Sequence, residues 1–272
     1  MEAQEDIIRT TVVKVGGAVV EDPASLGSLL DGFTRMEGSK MLVHGGGRSA
    51  TKLAAQLGIE SQMVGGRRIT DAETLKVVTM VYGGLVNKNI VAQLQARGVN
   101  ALGLTGADLN LIRAHRRPVT PEGIDFGFVG DVDSADGTRL LQLLDAGITP
   151  VIAPLTHDGQ GHLLNTNADT MAQTVATALA TAYSRYLPPS RKGRVCLTFC
   201  FDLPGVLRDA SDPSTLIPRV TEADLPVLIA DGTVAGGMIP KLENAFAALR
   251  AGVAAVRITN INNLAGGTVI TL

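Results

Sequence analysis

The chain has 272 residues, 45% hydrophobic and 18% charged, enough apolar material to bury a full core in one large α/β domain or two closely packed lobes. Its 24 Lys and Arg against 26 Asp and Glu leave a net charge of -2, which excludes a bulk field for gripping nucleic acid or an anionic membrane, so any basic residues that matter must act locally. A polar, acidic start and no apolar run approaching the roughly 18 residues of a spanning helix predict a cytoplasmic protein with neither signal peptide nor transmembrane segment.

In chain order, short β-branched runs alternate with stretches of helical period. Residues 10–15 read as a strand, 23–36 as a helix, 40–44 as a strand, 49–57 as a helix and 71–97 as one long helix. A strand at 99–104 follows, then strand-like runs at 109–114 and 126–132 that look like hairpin insertions. Next come a helix at 137–146, a strand at 148–153, another insertion at the Gly-rich 158–164 and an Ala-rich helix at 167–182. Prolines and basic residues at 187–193 mark a linker, which predicts an N-terminal lobe over 1–186 and a C-terminal lobe over 187–272. The second lobe holds strands at 194–199 and 254–259 and helices at 222–230 and 239–251. Strand, helix, strand in succession predicts a mainly parallel sheet covered on both faces, a three-layer α/β/α sandwich. The two cysteines, Cys196 and Cys200, lie in an apolar run without a companion Cys or His cluster and read as small buried hydrophobes.

Four clusters carry candidate chemistry. The first strand ends in Lys14-Val15-Gly16-Gly17, which places a cation and bare backbone N–H groups at the carboxyl edge of the sheet, where ligands of open parallel sheets bind. Taken alone, it is also an ordinary strand-end turn. The second strand ends in His44-Gly45-Gly46-Gly47-Arg48, three glycines opening a helix and so a backbone cradle for an anion. His44 itself reads as a backbone-bonded histidine with no chemistry. Asn165-Thr166-Asn167-Ala168-Asp169 precedes the Ala-rich helix; Asn167 suits an N-cap, and an early helix start would let Asn165 and Asp169, four apart, project to the same edge. Gly236-Gly237 precedes Met238-Ile239-Pro240-Lys241, which puts Lys241 in a first helical turn, where the dipole disfavours a cation unless an anionic ligand offsets it. A solvated lysine on a helix face is the plainer alternative. No P-loop and no dinucleotide fingerprint is present, and Asp125-Phe126-Gly127 lacks the companion motifs of a protein kinase.

These four clusters, together with Gly66-Arg67-Arg68-Ile69-Thr70 and Asp202-Leu203-Pro204-Gly205-Val206-Leu207, stand in the order seen in N-acetylglutamate kinases, and the chain resembles that family of the amino-acid kinase superfamily over nearly its whole length. The resemblance implies an amino-acid kinase fold, an N-terminal lobe for the acyl amino acid and dimerisation, a C-terminal lobe for ATP and Mg²⁺, and phosphorylation of the side-chain carboxylate of N-acetyl-L-glutamate, an early step of arginine biosynthesis. It also implies that Lys14 and Lys241 stabilise the transferring phosphoryl group and that Asp169 organises them. Gly46 and Gly47 would meet substrate and phosphoryl group through their N–H groups, Arg68 would clamp a substrate carboxylate, and Asn165 would lie near the α-substituent. Nucleotide contacts fall to Gly16, Gly17, Asp202, Gly205, Val206, Leu207, Thr233, Val234 and Gly237.

The residue chemistry agrees. A glutamate side chain is ionised at neutral pH, so the nucleophile needs no general base; the reaction needs relief of repulsion between two anions, which lysines, amide N–H groups and Mg²⁺ supply. The sequence departs from the family at 197–203, which is more aromatic than the usual pattern before Gly-Val. An insertion-like segment, 113–125, carries Arg113, Arg116 and Arg117, which suit either a solvated basic face or the extra carboxylate of N-succinyl-L-glutamate, the alternative acceptor. With few residues ahead of the first strand and no sensor-like C-terminus, the resemblance implies an arginine-insensitive homodimer, its surface on 71–97 with Val77, Val78, Met80, Val81, Leu85 and Val86 among the apolar positions; core burial explains those residues equally well. Other amino-acid kinases and a catalytically silent metabolite-binding regulator are the remaining readings.

Overall fold

The computed structural model describes residues 6–187 and 191–272, so the middle of the linker read at 187–193 lies outside the described residues. The N-terminal part runs β1 (Asp6–Val15), α1 (Gly17–Glu21), α2 (Pro23–Arg35), β2 (Ser39–His44), α3 (Gly47–Gln56), β3 (Met63–Val64), β4 (Arg67–Arg68) and α4 (Ala72–Val78). A π-helical segment, Thr79–Val86, joins α4 to α5 (Asn87–Gln95). Then follow β5 (Ala101–Leu104), β6 (Ile112–Arg116), β7 (Gly130–Ala135), α6 (Gly137–Asp145), β8 (Thr149–Ile152), β9 (Leu155–His157), β10 (Leu163–Asn165) and α7 (Ala168–Tyr186). The chain finishes with β11 (Arg191–Phe201), β12 (Arg219–Thr221), α8 (Leu225–Ala230), α9 (Met238–Arg250), β13 (Ala255–Asn260) and β14 (Thr268–Thr271).

One sheet runs through the molecule in the order β12-β14-β13-β11-β1-β2-β8-β5. Its pairings are parallel except β13 with β14. Because strand side chains alternate between faces, Val12 of β1 enters one core with Met41, Val43, Leu197 and Phe199, while Val13 and Val15 enter the other with Leu42 and Cys200. The first core is closed by α6, α7, α8 and α9, the second by α2 to α5, giving the expected three layers. In α2, Leu26, Leu29, Leu30 and Phe33 fall on one helical face and are buried, each contributing about 1.5–3 kcal/mol. Asp22 accepts from the Ser25 amide and Pro23 opens the helix, so its start is set locally.

Three local readings change. The stretch read as one helix over 71–97 is interrupted by eight residues of π-helix containing Gly83 and Gly84, where i→i+5 bonding rotates the side-chain face. Helix α7 starts only at Ala168, after Asn167 has taken the N-cap and accepted from the Asp169 and Thr170 amides. Asn165 therefore sits on β10, and it is the strand rather than a helical spacing that brings it towards the ligand edge. The short pairs β3–β4 and β12–β14 escaped the sequence reading, since two- to four-residue strands carry too little alternation to register. The insertions form as expected: β6, β7, β9 and β10 build a separate four-stranded sheet beside the carboxyl edge of the main one.

Candidate active site

Lys14 stands one residue before the end of β1, on the same face as Val12, and so points at the layer containing α7. Its ammonium meets Asp169, in the first turn of α7, at 2.7 Å. The side chains are 7% and 16% exposed, so the pair is largely withdrawn from water. Asp169 is favourably placed against the dipole of α7, and Asn167 fixes the helix start that aims it. Lys241 lies in the first turn of α9, where its Nζ donates to Gly237 O at 2.9 Å. Burial pushes the Lys241 pKa down; the Asp169 charge opposes this and the Lys14 charge adds to it. Three residues distant in sequence thus form one cluster, cation, carboxylate, cation.

The glycine loops converge beside it. The Gly45 amide donates to Val15 O at 3.0 Å and the Gly16 amide to Cys200 O at 3.3 Å, which stitches the ends of β1, β2 and β11. A side chain on Gly45 would come within 3.2 Å of the Gly17 nitrogen, so the two backbones approach as closely as only glycines allow. Gly46 and Gly47 then open α3 with no side-chain cap, leaving amide donors at a helix N-terminus.

A cavity of about 200 Å³ opens against Gly45, Gly46, Gly47, Arg67, Arg68, Tyr82, Asn165 and Thr166, with Met63, Val129 and Pro154 as its apolar wall. Arg68 is buried; its Nη1 donates to Ser61 Oγ at 2.7 Å and its Nη2 to Gly47 O at 2.9 Å and Thr51 Oγ1 at 2.8 Å, which ties the guanidinium to the glycine loop. The Asn165 amide donates to buried Thr70 Oγ1 at 2.9 Å. The cavity wall continues through Asn167 and Ala168, and so runs up to Asp169 and its lysines. Gly46, Gly47, Arg68 and Asn165 therefore line one cleft, and Asp169, paired with Lys14, directly follows the lining residue Ala168.

His44 is fully buried, bonded through Nδ1 to Gly45 O at 2.8 Å and through Nε2 to the Asn87 amide at 3.1 Å. Burial pushes its pKa down to about 4, so the ring is neutral. It bonds backbone, as the sequence suggested, and supports the glycine loop.

The residues assigned to the nucleotide divide. Asp202 follows β11 on the surface, and Thr233 and Gly237 lie on the turn that leads into α9, where the Thr233 amide donates to Asp231 Oδ1. Val206, Leu207 and Val234 are buried. The Val206 amide is taken by Thr268 Oγ1 and the Val234 amide by Leu228 O, so these residues pack the C-terminal core. Gly205 is also a packing position, since a side chain there would come within 2.5 Å of Thr268 Oγ1.

The arginines of the insertion are otherwise engaged. Arg116 pairs with Asp125 at 3.0 Å and lies over Phe128; Arg117 pairs with Asp131 and lies over Phe126; Arg113 donates to Asp158 O. The second guanidinium in the cavity wall is Arg67, which the sequence reading passed over because it sits next to the more conspicuous Arg68. Tyr82 was missed too. Its ring covers Gly46, and a side chain on that glycine would come within 2.9 Å of Tyr82 Cδ1. In a run such as 77–86 an aromatic looks like core, and only the π-helical turn directs it into the cleft. Of the apolar positions there, Val77, Val78, Val81 and Val86 are buried within the chain, while Met80 and Leu85 are exposed.

The sequence profile of the Amino acid kinase family matches residues 9–187 and 193–260. Over 251 residues the chain is 60% identical to the acetylglutamate kinase of Bacteroides fragilis strain ATCC 25285, covering 92% of each protein. It is 57% identical to that of Phocaeicola vulgatus over 264 residues, 96% of this chain and 98% of the relative. Among solved structures, smu.665 of Streptococcus mutans UA159 superposes with a TM-score of 0.76 at 26% identity over 96% of this chain and 98% of that one. No described helix is long and apolar enough to cross a membrane. A parallel sheet carrying paired lysines and glycine loops at its carboxyl edge, matched by a family profile along almost its whole length, assigns the chain to the amino acid kinase family, in the branch of the acetylglutamate kinases.

Proposed function

We propose that the protein transfers the γ-phosphoryl group of ATP to the side-chain carboxylate of N-acetyl-L-glutamate, giving N-acetyl-L-glutamyl 5-phosphate and ADP in the cytoplasmic synthesis of arginine. The observation that carries this reading is the Lys14–Asp169–Lys241 cluster at the end of a cleft whose wall holds Arg68, Asn165 and the Gly46 and Gly47 amides. The acceptor carboxylate is already ionised and attacks without a general base. Two ammonium groups and the amides at the start of α3 offset the charge that builds on the transferring oxygens, while Asp169 keeps Lys14 aimed. Arg68, braced by Gly47, Ser61 and Thr51, suits a substrate carboxylate, and Asn165 the acylamino group.

In this reading residues 1–186 bind the acyl amino acid and 187–272 the nucleotide. Contacts to the nucleotide come from Gly16, Gly17, Asp202, Thr233 and Gly237, with Gly205, Val206, Leu207 and Val234 shaping the lobe behind them. Ammonium groups and amide donors match polyphosphate oxygens, and the described residues contain no cluster of three metal-ligating side chains. Mg²⁺ would therefore be carried on the nucleotide, where it neutralises phosphate charge. We propose a homodimer whose contact includes exposed Met80 and Leu85.

Arg67 supports a second acceptor, N-succinyl-L-glutamate, because a cation in the cavity wall has work to do on a second acyl carboxylate and none on a methyl group. A coupled ADP-release assay with MgATP and N-acetyl-L-glutamate, N-succinyl-L-glutamate and free glutamate separates the readings. Turnover of either acyl compound well above free glutamate supports acyl-glutamate kinase activity and identifies the acyl group. No turnover with any of the three overturns it.

A further inference from the structure

Phe201 closes β11 beside Gly16, the residue after β1, and both lysines of the site lie over its ring. Nζ of Lys14 is 4.8 Å from the ring centroid and Nζ of Lys241 is 4.7 Å from it. The last aromatic of the run at 197–203 thus lies under the cationic cluster. Phe199, on the same face of β11, stacks on Phe201 with centroids 6.1 Å apart and planes 7° apart, and is itself fully buried, so the ring is braced from the core.

The need for such a group follows from the charges. Two ammonium groups share one carboxylate, Asp169, and Lys14 holds it at 2.7 Å. Lys241 is left with Gly237 O as its hydrogen-bond acceptor. A second carboxylate at position 201 would pair with Lys241 but would also repel an incoming phosphate. An aromatic face attracts a cation through its quadrupole, carries no net charge and engages no N–H in a directional bond that phosphate must break. We propose that Phe201 is a positioning residue that holds the ammonium groups of Lys14 and Lys241 side by side over its ring, with their N–H donors left for the phosphoryl oxygens. The statement about the two lysines stands on geometry; its bearing on phosphoryl transfer rests on the function proposed above.

Asp169 from α7 is the charged group that faces the pair; the Cys200 thiol lies on the opposite face of β11, and Asp202 follows Phe201 on the surface. Burial pushes the Cys200 thiol up to about 12, so it stays neutral. Removing the ring withdraws a stabiliser of the charged form, so the Lys241 pKa must fall further. The test measures that pKa directly, by competitive acetylation with trace acetic anhydride across a pH series and mass spectrometry of the Lys241 peptide, in wild type, Phe201→Leu, Phe201→Met and Phe201→Tyr. Both aliphatic variants are expected to lower the Lys241 pKa by about half a unit, and Phe201→Tyr to leave it in place. In turnover, the alkaline limb of the kcat/KM profile, which reports the free enzyme, should move to lower pH by the same amount, with KM for the acyl-glutamate changed less than about twofold.

An unchanged Lys241 pKa in a folded aliphatic variant, or an equal fall in Phe201→Tyr, overturns the proposal. Labelling needs no substrate, so a wild type without kinase turnover would defeat the functional reading while the labelling result still decides the role of the ring.

Discussion

Replacing Lys241 with Met separates stability from catalysis, because the structure assigns this lysine little that stabilises the fold. It stands in the first turn of α9, where a cation costs about 0.3–1 kcal/mol against the helix dipole. Half-buried near Lys14, its charged form is further disfavoured by burial. On the other side stand one hydrogen bond to Gly237 O, worth about 1 kcal/mol, and a cation–π contact worth about 0.5–1 kcal/mol. Methionine keeps the length and packing of the stem. These terms nearly cancel, so the expected change in stability is within about 1 kcal/mol of zero, or roughly 2–4 °C in Tm for a chain of this size. Catalysis should respond differently. Removal of one preorganised electrostatic stabiliser of the transition state costs about 2.7–4 kcal/mol, a fall of about 10²–10³ in kcat. The coupled ADP-release assay reads the second quantity and thermal unfolding by circular dichroism the first. Turnover like wild type would refute the role of Lys241 in transfer, and a loss of Tm beyond about 8 °C would show that the lysine holds the fold together.

Two further expectations concern the glycine loop. Gly46→Ala puts a methyl group within 2.9 Å of Tyr82 Cδ1 and 3.1 Å of Cε1 and should cost about 1–3 kcal/mol while raising KM for the acyl-glutamate; combining it with Tyr82→Leu should recover most of that stability, and a strictly additive double mutant would reject the contact as the cause. His44 has a folded-state pKa of about 4 against an ordinary 6.5, so as pH falls from 6.5 to 4 the unfolded chain gains a proton that the folded one refuses. Its stabilising contribution is complete above pH 6.5 and declines by about 1.4 kcal/mol per unit through that window, roughly 3 kcal/mol in all. Urea unfolding of wild type and His44→Gln at several pH values should show the gap between them narrowing on acidification, and a constant gap would mean that His44 titrates alike in the folded and unfolded chain.

Much of the architecture could be read in advance because it rests on local rules. The alternation of Val12 and Lys14 with Val13 and Val15, the Asn167 cap and the Gly46-Gly47 opening of α3 each specify their own geometry within a few residues. The lysines, Arg68 and the glycine loops were therefore legible as motifs, whereas the stretch read as one helix over 71–97 holds the π-helical segment Thr79–Val86.

What tertiary structure alone decided is where motifs meet and what lies between them. Composition, pattern and motif order pointed to the fold class and the family, and to the carboxyl edge as the candidate site. They carried no information on Lys14 meeting Asp169 at 2.7 Å, on Asn165 reaching the cleft from a strand, or on the insertion arginines pairing with their own aspartates while Arg67 lines the cavity. Nor could periodicity distinguish Tyr82 and Phe201 from core aromatics, since an apolar side chain obeys the same spacing whether it fills a core or faces a cation. Such contacts join residues far apart in the chain, and their distances follow from how the strands pair and the helices pack, terms that no local window contains.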